Sequence, residues 1–261
     1  MFELIDQIQN YLPGYMLILA RISGLIASLP IISSPMINKK TKGMIAILFT
    51  VIIAPGFAAQ FPEINTLLQL FALMAKEIFV GLTLGFGTMV IFESFNMIGA
   101  FMGRQMGLFM ARAINPMTRQ QSNVVSPFLT LILIVYFLVT NSHYLFIRTI
   151  FENFEVIPLG MAAFPAVQGR TIIETGSIAY HIAVKFAGPT MVFLLLLQAA
   201  TAFSVRVMPQ MNVMFVMLPL RIGCGLFALM TSLKIFQLIF DSFYNQIFEY
   251  LHTTLIHLKG A

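Results

Sequence analysis

Charge is what this sequence is shortest of. Charged residues make up 10% of the 261 positions, hydrophobic ones 59%, and mean hydropathy is +0.89. Soluble domains carry about a quarter charged residues to stay solvated. A chain this poor in charge cannot cover a water-facing surface, so membrane lipid or partner subunits must cover it. Cysteine is equally scarce. Cys224 stands alone, which excludes an internal disulfide and a thiolate metal cluster, and its apolar surroundings read as a buried, inert thiol. Concentrated basic charge is missing too. The 15 Lys and Arg give a net charge of +5 but stand nearly singly, apart from Lys39, Lys40 and Lys42. Nucleic-acid binding needs a basic stripe on one face. A short basic loop between apolar runs instead marks the cytoplasmic side of a membrane protein. Residues 1–12 carry Glu3 and Asp6 but no Lys or Arg. Without a basic n-region the first apolar segment is expected to remain in the mature protein, with the N-terminus outside and the lysine loop inside.

Catalytic patterns are also lacking. The histidines His143, His181, His252 and His257 match no metal-binding spacing, and Glu77, Glu93, Glu152, Glu155, Glu174 and Asp241 form no paired motif. No nucleophile elbow or phosphate-binding loop occurs. No enzyme, cofactor or metal site is expected. A small-solute transporter stays open as an alternative, although the matching broken helices of inverted repeats are not apparent.

What the chain does have is apolar length. Six stretches stand out, at about residues 11–32, 44–57, 67–92, 124–139, 178–203 and 213–240. The second is short of the ~20 residues that a comfortable span requires, and the last is broken by Pro219. No long polar linker divides them, so a single domain, 1–261, is expected. Arg21, Lys76, Glu77, Lys185, Arg221 and Lys234 lie in or beside these stretches, at about 2.5–3.5 kcal/mol each at a helix centre. Pro30, Pro35, Pro55, Pro189, Pro209 and Pro219 interrupt them. Broken helices with ionisable residues persist only where protein or a wet cavity replaces lipid. The sequence therefore predicts an all-α, polytopic membrane protein of kinked helices and hairpins packed into an assembly. Lys76 and Glu77 read as an inter-subunit pair.

Residues 93–121 are the most informative. Gly99, Gly103, Gly107 and Ala111 recur every four positions, a helix stripe that lets a neighbouring backbone come close. Met102, Met106 and Met110 run beside it. The bland reading is tight packing with thioethers filling gaps. The sharper one is a seal of flexible side chains, because a polar run follows: Arg112, Asn115, Pro116, Thr118, Arg119, Gln120, Gln121, Ser122 and Asn123. Such a run faces water or a channel. A second methionine series, Met208, Met211, Met214 and Met217, lies between Arg206 and Pro219, where Pro209 and Pro219 predict a bent hairpin tip.

These residues resemble a known family. The run from Gly99 to Ala111, with Asn115-Pro116 and Gln121, is similar to the central motif of the FliR family and its injectisome counterparts. Arg206, Pro209, Gln210 and Asn212, followed by Leu218-Pro219 and Gly223, resemble that family's second signature. Asn141-Ser142-His143 and Ile157-Pro158-Leu159-Gly160 stand where relatives carry Asn-Gly-His and Pro-Gly. Ala187-Gly188-Pro189, Leu197 to Thr201 and Pro219 resemble the small FliQ subunit. The match runs in order along essentially the whole chain. It departs at Asn115, where many relatives have Asp, at Arg112, which adds a positive charge, and at Ser142, which replaces a common Gly. The resemblance implies a multi-pass subunit of a type III protein-export gate in the bacterial inner membrane at the flagellar basal body. It implies a FliP-like part over about 1–175 and a FliQ-like part over about 176–261. It also implies assembly with FliP and FliQ around a pore, beside FlhB and FlhA, for unfolded flagellar proteins. Met102, Gly103, Met106, Gly107, Met110, Arg112, Asn115, Pro116, Arg119 and Gln121 would form the pore plug, and Gly99, Gly103, Gly107 and Ala111 the packing stripe.

Overall fold

A computed structural model of the chain describes residues 2–29, 37–58, 61–62, 64, 66–109, 124–162, 168–207, 213–234 and 236–259. Among them the backbone forms helices and no strand. In chain order these are α1 (Phe2–Ser28), α2 (Lys39–Phe57), α3 (Leu67–Gln105), α4 (Val125–Val139), α5 (Ser142–Val156), α6 (Gln168–Val207), α7 (Val213–Leu233) and α8 (Phe236–Lys259). Four are long and apolar enough to cross a bilayer: Tyr11–Ser28 within α1, all of α2, all of α3, and Ile173–Phe203 within α6. Counting α4 with α5 as one bent span gives five. The chain is an all-α polytopic membrane protein.

Three expectations are corrected. The second apolar stretch is not too short. α2 begins at Lys39, where the Asn38 side chain caps it by accepting the Lys40 N–H at 3.3 Å. The lysine turn brings the helix to 19 residues, about 28 Å, and lysine stems can bury while their ammonium heads stay wet. Counting apolar residues alone missed that turn. Secondly, the third apolar stretch and the glycine segment are not separate, because α3 runs through both as one 39-residue helix. Thirdly, the last stretch does not break at Pro219. α7 continues through it, since a proline in the second turn removes one hydrogen bond and leaves the later ladder intact. The helix ends instead at Leu233, and the N–H of the following Lys234 closes back on the Thr231 carbonyl at 3.2 Å.

Two compact units divide the described chain. One comprises residues 1–90, 140–175 and 246–261. Its core gathers Leu17, Ile18, Ile53, Val80, Leu84 and Phe154, all buried. Glycines set the α1–α3 distance. A Cβ at Gly24 would lie 2.5 Å from the Ile78 carbonyl oxygen. One at Gly81 would lie 2.8 Å from the Leu25 nitrogen, and one at Gly85 would lie 2.9 Å from the Leu25 oxygen. Backbone touches backbone there, the close approach that small residues permit between membrane helices. On α8, Tyr250 lays its ring over Gly87 and donates its hydroxyl to the Thr83 carbonyl at 2.8 Å.

The other unit comprises residues 91–139 and 176–245. Phe92 meets Phe137 edge to face at 5.7 Å, and Tyr136 meets Phe240 at 4.4 Å. Between α6 and α7, the Thr190 and Ser232 hydroxyls share a hydrogen bond of 3.0 Å. Phe95, Ile98, Met102, Leu129 and Leu133 are fully buried.

Candidate functional site

The end of α3 is built by a cluster of polar side chains and by glycines. Asn96 links α3 to α4. Its side-chain oxygen accepts from Thr130 at 2.9 Å, its backbone carbonyl accepts from Ser126 at 2.9 Å, and its amide donates to Glu93 at 2.8 Å. One turn on, a Cβ at Gly99 would lie 2.6 Å from the Ser126 nitrogen. α4 therefore presses on α3 where a side chain would hold it off. Met102 and Met106 follow, both fully buried. Met106 fills the space over Gly225, where a Cβ would come within 2.9 Å of its methyl carbon.

The helix then stops. Leu108 donates to the Gly103 carbonyl at 3.1 Å and Gly107 donates to the Arg104 carbonyl at 3.0 Å. With Gly107 at φ +78°, this is the paired bonding of a Schellman motif, with glycine in the left-handed position just past the helix. Gly107 therefore leaves the stripe. The spacing predicted a row from Gly99 through Gly107 to Ala111, but four-residue periodicity requires continued helix, and Gly107 ends it. Gly99 and Gly103 lie on the helix and are buried. Gly107→Ala is expected to cost about 1–2 kcal/mol for the left-handed backbone, with Leu218, 2.9 Å from the added carbon, forced aside. Gly107→Asn should keep most of the stability. Thermal unfolding in detergent checks this, and an unchanged midpoint for the alanine variant would sink the turn assignment.

Met110, Ala111, Arg112, Asn115, Pro116, Arg119 and Gln121 lie outside the described residues, as do Pro209, Gln210 and Asn212. Arg206 falls near the end of α6 and Pro219 within α7. No cluster of metal-ligating side chains occurs among the described residues.

A second polar assembly was missed by sequence reasoning. Arg21 on α1, 1% exposed, pairs with fully buried Glu77 on α3. The same guanidinium donates from Nη1 to the Asn153 side chain and to the Ile157 carbonyl, both at 2.9 Å, and lies over the Phe154 ring at 4.7 Å. The other Glu77 oxygen accepts the Gly160 N–H at 2.7 Å. Gly160 stands third in a turn closed by Met161 N–H on the Pro158 carbonyl at 3.2 Å, with φ +78°. A type II turn demands that conformation. Glu77 therefore has its cation within its own chain, which corrects the inter-subunit reading. The pair is legible in hindsight: Glu77 is the one acid among the six membrane-depth charges and calls for a cation, and Gly81 and Gly85 form a G-x-x-x-G motif one turn from it.

The chain matches the family model described as bacterial export proteins, family 1, over residues 12–247. It is similar to the flagellar biosynthetic protein FliR of Escherichia coli (strain K12), 24% identical over 94% of each chain. The protein of that name from Caulobacter vibrioides is 26% identical over 89% of this chain and 93% of its own. The one from Bacillus subtilis (strain 168) is 24% identical over 96% and 97%.

Proposed function

Since the chain belongs to the bacterial export proteins of family 1, the FliR family, we propose that it is the subunit of the flagellar protein-export gate that assembles with FliP and FliQ around a pore. Membership makes it a membrane component of an export apparatus and not an enzyme. The relatives' names favour the flagellum over an injectisome. In this reading the complex sits in the inner membrane beside FlhA and FlhB and passes unfolded flagellar proteins. Residues 1–175 correspond to a FliP-like part and 176–261 to a FliQ-like part.

One observation supports a gate in particular. α3 keeps Met102 and Met106 fully buried and is stopped by Gly107 a few residues before the polar run 112–123. A helix capped there hands the chain to residues that lipid would reject, at the end of a rigid, tightly packed mount. Met102 and Met106 anchor the mount, and Met110, Arg112, Asn115, Pro116, Arg119 and Gln121 provide the closure. Deleting residues 110–123 is expected to leave co-purification with FliP and FliQ intact while raising the resting ion leak of the membrane many-fold. A membrane as tight as wild type, with the complex assembled, would overturn the closure.

A further inference from the structure

The two faces of α2 differ in kind. Its buried side is Ala46, Thr50, Ile53 and Ala54, largely small or hydroxyl-bearing, and α2 packs with α1. Its exposed side is Met44, Ile47, Leu48, Val51 and Ile52, each 55–70% exposed. These positions follow the i, i+3, i+4, i+7, i+8 rhythm of one helix stripe. Helix faces that meet other helices in a bilayer use small residues and hydroxyls, as Gly24, Gly81 and Gly85 do between α1 and α3. The exposed stripe has neither. Added carbons at Gly43 and Gly56, near its two ends, would meet nothing within 4 Å. Its composition is that of a face in contact with acyl chains.

The charge at one end says which lipid. Lys39 and Lys40 are exposed and Lys42 half-buried, all within the first turn, which contains no acidic residue of its own. A 19-residue helix is close to the ~30 Å hydrocarbon thickness, so the lysines reach the headgroup level when the stripe lies among the tails. Exposed ammonium groups such as those of Lys39 and Lys40 attract anionic headgroups at that depth.

We propose that α2 is an anionic-phospholipid site, with acyl chains along Met44, Ile47, Leu48, Val51 and Ile52 and the headgroup phosphate at Lys39 and Lys40. The chain contains no tryptophan, so Leu48→Trp supplies a single reporter at an exposed position. The full-length variant is reconstituted in vesicles of equal parts phosphatidylcholine and phosphatidylglycerol, with one or the other brominated on its acyl chains. Quenching is expected from both, with a local preference for phosphatidylglycerol of about fivefold or more. Adding Lys39→Gln, Lys40→Gln and Lys42→Gln should abolish the preference and leave total quenching unchanged. Equal quenching by the two lipids would overturn the headgroup assignment, as would a preference that survives the glutamines. A tryptophan that neither lipid quenches would mean that protein covers the stripe, and the proposal would fail.

Discussion

Arg21→Met is expected to destabilise the folded chain by about 3–5 kcal/mol, the usual penalty for removing one partner of a buried ion pair. The cause is what stays behind. Glu77, fully buried, would keep only the Gly160 N–H as a partner among the described residues, and the Asn153 oxygen and Ile157 carbonyl would lose the Arg21 donor. Glu77→Gln should cost less, because an amide oxygen can still face the guanidinium while Arg21 loses its counter-charge. Arg21→Met with Glu77→Leu removes both charges and should recover much of the single-variant loss, as contacting residues couple strongly. Recovery would be partial, since Gly160 and Asn153 remain unanswered. Denaturant unfolding in mild detergent measures all four proteins. A loss below about 1 kcal/mol for Arg21→Met would show that this pair does not hold the three helices together.

Gly81→Ala is expected to be at least as damaging, for a reason unrelated to charge. Its added carbon would press on the Arg21 carbonyl oxygen and lie 2.8 Å from the Leu25 nitrogen. Both are backbone atoms of α1, so no rotamer change relieves the clash. α1 and α3 would have to part by a sizeable fraction of an ångström along several turns, and the neighbouring Arg21–Glu77 geometry would go with them. Gly85→Ala, against Ser28 and the Leu25 oxygen, belongs to the same class. We expect little or no folded, monodisperse protein from either variant. Gly43→Ala and Gly176→Ala are the controls, because nothing lies within 4 Å of their added carbons. Alanine there should be neutral or add up to about 1 kcal/mol through helix propensity. If Gly81→Ala purified and melted like Gly43→Ala, the close approach of α1 and α3 would be wrong.

How much of this was legible follows from what each element needs. The runs that became α1, α2, α3, α4 and α6 were found because crossing a bilayer demands apolar length that no other use requires. α5 and α8 were missed because they carry charge on a mixed face. Yet α5 displayed a local signal in Arg148 and Glu152, four apart and joined at 2.7 Å, the spacing that supports an exposed helix. Gly107 was misassigned for a subtler reason. Glycine serves close packing and helix termination equally well, and a four-residue repeat favours the first until the backbone carbonyls are accounted for. Only the bonds to the Gly103 and Arg104 carbonyls separate the two uses. Beyond the Arg21–Glu77 pair, the partners Asn153, Ile157 and Gly160 could not be read from spacing, since they are brought in from far along the first unit.

That wide separation bears on how the protein is made. Arg21 leaves the ribosome long before the groups that neutralise it. Its counter-ion lies 56 residues downstream and the Ile157 carbonyl 136. At about 5–20 residues per second, the first helix carries an unmatched cation for roughly 3–11 s of synthesis, and its guanidinium lacks its last acceptor for roughly 7–27 s. Its settling into the bilayer is therefore a late event, completed when the Pro158–Gly160 turn emerges and supplies the last amide to Glu77.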